Sequence, residues 1–261
     1  MIYEHESLAY NPRIDFVGFN IKSGEIVSEK IYYKKSHSEN SEYCQYPTLK
    51  QLIEEVPNLR FFSAESYHAD HGIVKYDFQV ESPDAWMAAK DFLSRNIKSY
   101  NPQIVSTAEK VSWIRTQFTT LSFRIYKAQQ ILNTVLYYQR PPTNAAQIDS
   151  HFVKLVPQLA MAQYKKLANY MFGLNAWIRL VAIDFLTTNL YSIKVYFETD
   201  RPELSVPIRR FFSDTVNETV CNRIFDYAEQ SHLLFRGLAI VMPSDETDFR
   251  FNFYFNQQKI Q

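Results

Sequence analysis

The sequence predicts an α+β fold in which about ten antiparallel strands close into one barrel with helices on its outside, as a single domain over residues 1–261. Three observations predict it. Five stretches read as strand, polar middle, strand. The intervals between them read as helices. Phe and Tyr, both strand formers, number 20 and 18 against 5 glycines.

Taken in order, the first hairpin is FVGFNIKSGEIVSEKIYYKKS at residues 16–36 and the second RFFSAESYHADHGIVKYDFQVE at 60–81. LSFRIYKAQQILNTVLYYQRP follows at 121–141, VAIDFLTTNLYSIKVYFETDRP at 181–202 and RGLAIVMPSDETDFRFNFYFN at 236–256. Three of them end in an aromatic pair, Tyr32-Tyr33, Tyr137-Tyr138 and Tyr196-Phe197. Between them, residues 46–56 start a helix at Pro47 and Thr48. Residues 82–97 start another, with Ser82 as N-cap, Pro83 at its first position and Asp84 in its first turn. A shorter helical piece precedes Trp113. Residues 149–179 place Phe152, Val153, Leu155, Val156, Leu159, Ala162, Leu167, Tyr170 and Met171 on one helical face, broken at Pro157. Residues 207–235 supply one or two more helices. Residues 139–147, QRPPTNAAQ, are the best boundary candidate, and too short to divide the chain.

The fourth hairpin shows what such strands present. With a period of two, Lys194 and Tyr196 share one side, and Val195 and Phe197 the other. Helices need the apolar side. A long open sheet leaves edges that closure removes, and ten strands enclose a chamber wider than eight do. Lys194 and Tyr196 then point inward. By superposition on the aromatic ends, Lys30 and Tyr32, Val135 and Tyr137, and Asn252 and Tyr254 take the corresponding places.

Several classes are excluded or disfavoured. Formal net charge is zero, with no concentrated basic run to suggest nucleic acid. GxGxxG and GxxxxGK[ST] phosphate loops are absent. Two cysteines, Cys44 and Cys221, rule out a disulfide framework or a CxxC cluster and fit a reducing compartment. The opening residues do not read as a signal peptide and no run approaches the ~18 apolar residues of a membrane span, so the expected location is the cytoplasm. His68, Asp70 and His71 are metal-ligand types but read as a polar turn. Cys221 reads as a packed residue. Asn217 begins an N-x-T match of the kind chance supplies.

Five helix-flanked antiparallel hairpins with Lys-x-Tyr strands resemble the ABBA prenyltransferases, the PT barrels. SHLLFRGLAIVMPSDETDFRFNFYFN at residues 231–256 and the opening hairpin look most like the cyanobactin-type peptide prenyltransferases of RiPP natural product biosynthesis, although the chain is slightly short for the family. The resemblance covers most of the chain through loose motifs. It implies transfer of an isoprenyl group, dimethylallyl or geranyl, from a prenyl diphosphate. The acceptor it implies is a peptide side chain or another soluble aromatic or nitrogen nucleophile. Magnesium, used by several members, is the implied ion.

That chemistry requires cations for the leaving diphosphate, aromatic faces for the allylic cation and exclusion of water. Lys30, Lys75, Arg124, Lys194, Tyr196, Arg250 and Tyr254 are the diphosphate-binding candidates. Tyr32, Tyr126 and Tyr137 are candidates for shielding the carbocation. Glu65 is the candidate catalytic base, and Asp184 is either structural or a magnesium ligand. Asp77 shares the parity of Lys75. Arg60 and Arg179 lie five residues before Glu65 and Asp184, with opposite parity. Two other readings stand beside this one: a noncatalytic barrel that binds a small apolar ligand or peptide, and an α+β interaction protein whose lysines and tyrosines face solvent.

Overall fold

The computed structural model describes residues 14–33, 46–66, 73–80, 82–111, 118–126, 130–139, 150–156, 158–187, 190–245 and 250–257. Cys44, His68, Asp70, His71, Trp113, Pro157 and residues 140–147 of the 139–147 boundary candidate lie outside them.

The ten strands are β1 (Ile14–Lys22), β2 (Glu25–Tyr33), β3 (Leu59–Ser66), β4 (Ile73–Val80), β5 (Phe118–Tyr126), β6 (Gln130–Gln139), β7 (Trp177–Phe185), β8 (Tyr191–Glu198), β9 (Leu233–Pro243) and β10 (Arg250–Gln257). They form one sheet in the order β2-β1-β10-β9-β8-β7-β6-β5-β4-β3. Each consecutive pair is an antiparallel hairpin. Ser23 and Gly24, with φ of 51° and 75°, make the two-residue turn of the first, the geometry that suits strand twist. The hairpin turns gather at one end of the strands and the helical connections leave from the other. These are called the hairpin end and the helix end below.

The expected closed barrel needs one correction. The order ends at β2 and β3, and no ladder joins these two among the described residues, although their backbones come within 8 Å. Each carries an extra residue against its neighbour, Val27 on β2 and Phe62 on β3. A bulge twists an edge strand away from regular pairing.

The helices are α1 (Pro47–Glu55), α2 (Pro83–Asn96), α3 (Pro102–Ala108), α4 (Ser150–Leu155), α5 (Gln158–Gly173), α6 (Ser205–Phe212) and α7 (Glu218–Gln230), with a 3-10 turn Pro202–Leu204 before α6. A π-helical turn, Ser213–Asn217, joins α6 to α7. Pro47 and Pro83 stand in the first turns of α1 and α2, and the Ser82 hydroxyl accepts the amide of Ala85 at 3.1 Å. Asn217 caps α7 by accepting the amide of Val220 at 3.2 Å, so it serves the fold.

One side of the sheet packs against these helices. Phe212 of α6 meets Phe251 and Phe253 at 4.9 and 5.0 Å between ring centroids. Phe225 of α7 meets Phe253 and Phe255, both at 5.6 Å. Phe172 of α5 sits 5.7 Å from Phe197, and Tyr100, between α2 and α3, 5.5 Å from Phe185. Edge-to-face rings at these separations add to simple burial. Cys221 of α7 is part of this core, and burial pushes its thiol up to about 11.

Candidate active site

On β4 to β8 the other side of the strands is also largely buried, and among the described residues its apolar cluster holds no helix residue. Lys75, Asp77, Ser122, Asp184, Ser192 and Lys194 are each less than 8% exposed, and they alternate with Tyr76, Phe78, Phe123, Ile183, Phe185, Ile193 and Val195 of the helix-facing core. A second apolar cluster, Val135, Tyr137 and Ala182 with Leu180 and Tyr196 against them, consists of strand residues alone. Burial of a helix-free face means that the sheet curls around its own inner residues.

Toward the hairpin end the inner face is charged. The Lys194 ammonium donates to Asp184, and Arg124 reaches the same carboxylate oxygen, Nη1 to Oδ2, at 3.1 Å. Lys75 pairs with Asp77 at 3.1 Å, and the Ser122 hydroxyl donates to Asp77. Register explains the grouping. Lys75 lies opposite Arg124, Asp77 opposite Ser122, and Asp184 opposite both Val135 and Ser192. Arg250 lies opposite Val241, which lies opposite Lys194, and on its other side Arg250 faces Lys22 of β1. Burial draws the Lys194 ammonium from 10.5 down to about 8; Asp184 opposes that change, while Arg124 and Lys75 add to it. Charges taken from water need partners, and the two aspartates supply them for three cations. Among the described side chains this gathers three cations and two carboxylates on one buried strand face.

Tyrosines come next along the strands. Tyr137 and Tyr196 stand 6.2 Å apart and Tyr196 and Tyr254 5.9 Å apart between ring centroids. These rings are two strands apart, and they meet because the strands between carry Ala182, Ala239 and Gly237 on this face. Gly237 tolerates no side chain: a Cβ there would lie 2.1 Å from the Phe197 carbonyl oxygen. Lys75 Nζ lies 5.0 Å from the centre of the Tyr137 ring, which couples the cations to the tyrosine belt. The Tyr254 hydroxyl accepts from Asn252 Nδ2 at 3.3 Å.

The sequence candidates therefore divide. Lys75, Arg124, Lys194, Asp184, Tyr137 and Tyr196 come together, with Tyr254 beside Tyr196 and Arg250 on the ladder row of Lys194. Glu65 lies opposite Lys75, Tyr126 opposite Ile73, and Tyr32 opposite Phe16. The side chains of Glu65, Tyr126, Lys30 and Tyr32 lie outside the described residues. Lys30 is on a different row from Lys194: it lies opposite Gly18, hence level with Tyr254, Gly237 and Glu198. The superposition used the aromatic ends as a ruler, and the hairpins differ in turn length. Asp184 does not fit a magnesium ligand, since its Oδ2 already holds two cations, and no group of three His, Cys, Asp or Glu that could hold a metal ion occurs among the described residues. Ser122 is the partner that the sequence did not single out, whereas Asp77 stood beside Lys75 as a candidate. Parity placed Asp77 on the right face, but nothing in the sequence marked Ser122.

At the helix end lies a group that sequence reasoning did not assemble, although it weighed Arg179 against Asp184. The β7–β8 register skips Arg179 and the β10–β9 register skips Arg236. Both arginines approach Glu198 of β8, Arg179 Nε to Oε2 and Arg236 Nη2 to Oε1, each at 3.6 Å.

No family model and no curated protein matches the chain. Solved structures do. A 5-dimethylallyl tryptophan synthase from Streptomyces coelicolor, in complex with DMASPP and Trp, is similar over 95% of this chain and 80% of its own, with a TM-score of 0.58 at 12% identity. The same synthase in a second crystal structure gives 0.61 at 10% identity, over 95% of this chain and 83% of its own. The prenyltransferase PriB, in a binary complex with product diphosphate, is similar over 94% of this chain and 79% of its own, with a TM-score of 0.57 at 12% identity. The fold is that of the ABBA-type prenyltransferases. No described helix is long and apolar enough to cross a membrane.

Proposed function

We propose that this chain transfers a dimethylallyl or geranyl group from a prenyl diphosphate to an aromatic ring or nitrogen of a soluble acceptor. The observation that carries the reading is the adjacency, on one buried strand face, of Lys75, Arg124 and Lys194 to the Tyr137–Tyr196–Tyr254 belt. PriB and the synthase, which share the fold, were crystallised with diphosphate or thiolodiphosphate ligands, and both with tryptophan. In this reading the ring of five hairpin units is completed where β2 meets β3.

In the reaction, the bond between the prenyl C1 and the diphosphate oxygen breaks and the electron pair leaves with oxygen. Lys194, Arg124 and Lys75 take up the developing negative charge, with Arg250, Tyr196, Tyr254 and Lys30 as further donors from the neighbouring rows. The allylic cation lies against tyrosine faces, which stabilise it and keep water away; Tyr32 and Tyr126 extend that wall. The acceptor π or lone pair forms the new bond to carbon. Its proton goes to a base, for which Glu65, opposite Lys75, is the candidate. The acceptor belongs to a peptide side chain, as in the cyanobactin-type enzymes, or to a small aromatic molecule.

Incubation with dimethylallyl and geranyl diphosphates and a panel of cyclic peptides and free aromatic compounds, followed by mass spectrometry, tests the reading. One added isoprenyl mass on an acceptor is the expected result. The noncatalytic alternative draws on Asp77 and Asp184, which already balance part of the positive charge. Tight binding of a thiolodiphosphate analogue with no product from any acceptor would establish that alternative instead.

A further inference from the structure

Arg124 and Lys194 meet at one atom. They stand on β5 and β8, three strand spacings or about 14 Å apart across a flat sheet, and both reach Oδ2 of Asp184 on β7. Like charges repel, and Arg124 and Lys75 both help to lower the Lys194 ammonium. Curling of the sheet brings the cations near, and the carboxylate lets two of them share a point. That point is an anion site, filled by the protein's own side chain.

Lys75 repeats the arrangement. Its ammonium lies 3.1 Å from Oδ1 and 3.3 Å from Oδ2 of Asp77, and both residues are buried. Each aspartate also has a buried serine directly across the ladder, Ser122 opposite Asp77 and Ser192 opposite Asp184. The Ser122 hydroxyl donates to Asp77. A hydroxyl at this place leaves a buried carboxylate with a donor when its cation turns elsewhere, as a buried acceptor requires. Stability alone is a weak reason for either arrangement, since buried ion pairs often contribute little net.

We propose that Asp184 and Asp77 are internal stand-ins for the donor's diphosphate: each holds its cations before the donor enters, yields them to the diphosphate, and takes them back as pyrophosphate leaves. The inference rests on the diphosphate half of the prenyl-transfer reading, and it gives the two aspartates a part in that half. Exchange has two consequences. It keeps Lys75, Arg124 and Lys194 charged and gathered between turnovers, because a buried cation without a counter-charge is costly. It also weakens the hold on every diphosphate, since the ligand must displace a carboxylate and then lie beside it. Pyrophosphate carries more negative charge than its prenyl ester, so the weakening falls harder on the product than on the donor.

Calorimetric titration with inorganic pyrophosphate at neutral pH tests this, on wild type, Asp184→Asn and Asp77→Asn. Asn keeps the size of Asp and an oxygen that can accept from the same cations, while the charge is lost. Each variant should bind pyrophosphate ten-fold or more tightly than wild type. Pyrophosphate should also raise the melting temperature of each variant by more than that of wild type. Aspartates that merely fix the cations in place predict the opposite sign, weaker binding on loss of either charge. Asp77→Asn, which leaves one cation without its carboxylate instead of two, decides the matter should Asp184→Asn not fold. Unchanged or weaker binding in the folded variants, or no binding of pyrophosphate to any of the three proteins, overturns the inference. Transfer is read separately, as isoprenyl mass added to an acceptor by wild type. Product from a chain whose variants bind no more tightly removes the exchange and keeps the transfer. Tighter binding without product from any acceptor keeps the exchange and removes the transfer.

Discussion

The two faces of the same strands solve burial in opposite ways. On β10, Phe251, Phe253 and Phe255 face the helices, and Arg250, Asn252 and Tyr254 face inward. On β8, Ile193, Val195 and Phe197 alternate with Ser192, Lys194 and Tyr196. The outer face is an apolar layer, rich in rings, whose stability comes from removing apolar area from water. The inner face buries charge, and toward the hairpin end Lys75, Arg124 and Lys194 each meet an aspartate. A sheet can thus keep its stability in one set of residues and its chemistry in the other.

The sharpest way to break that division is on the outer side. Phe253 is fully buried among Phe212, Phe225 and Phe235. Phe253→Ala should lower unfolding free energy by about 3–5 kcal/mol in a denaturant titration. A loss below about 1 kcal/mol would show that the ring layer is not where the stability resides.

The second effect is on pH. With the folded-state Lys194 near 8 and its unfolded value at 10.5, the unfolded chain binds more protons between those pH values. Stability should therefore rise as pH rises from about 8 to about 10.5, by about 3 kcal/mol from this residue. Below about 8 the full penalty of the buried charge persists. The difference between wild type and Lys194→Met, measured by denaturation at several pH values, isolates the contribution, and a flat difference curve would refute it.

Ligand binding is the third readout. Lys194→Met leaves Asp184 paired with Arg124, so the fold should survive, while affinity for dimethylallyl thiolodiphosphate should fall by about 1.5–3 kcal/mol, the range for a hydrogen bond to a charged group. Wild-type affinity should itself weaken as pH climbs past about 8 and the ammonium loses its proton. An unchanged dissociation constant in the variant removes Lys194 from the donor site. The smallest effect is that of Tyr254→Phe, which removes the hydrogen bond from Asn252 and should cost about 1 kcal/mol or less in turnover or donor affinity. Its stability should not move, since the ring remains.

What the sequence revealed follows from period two. Alternation alone assigned Lys194 and Tyr196 to one face and Val195 and Phe197 to the other, and the strand–helix order yielded ten strands in consecutive hairpins. Alternation specifies a face but not a height. Height depends on turn length and on extra residues, which is why Lys30, laid over Lys194, proves level with Tyr254. For the same reason Arg179 was set aside: its parity opposes that of Asp184, and only the β7 bulge turns it toward Glu198. The pairing of Asp184 with both Arg124 and Lys194 was equally out of reach, because it depends on three strands meeting.

One ladder has a consequence for how the molecule is made. Eight of the nine pairings join strands that are neighbours in the chain, while β1–β10 joins its two ends. Local hairpins form quickly and early, whereas a contact across nearly the whole chain must wait for the loop between its ends to close. During synthesis the first hairpin emerges long before its partner β10 exists. The row that holds Lys30, Gly18 and Tyr254, and with it the β1 side of the inner face, is therefore assembled last. A chain stopped short of β10 would keep most of its helix-packed core and leave that side of the inner face unbuilt.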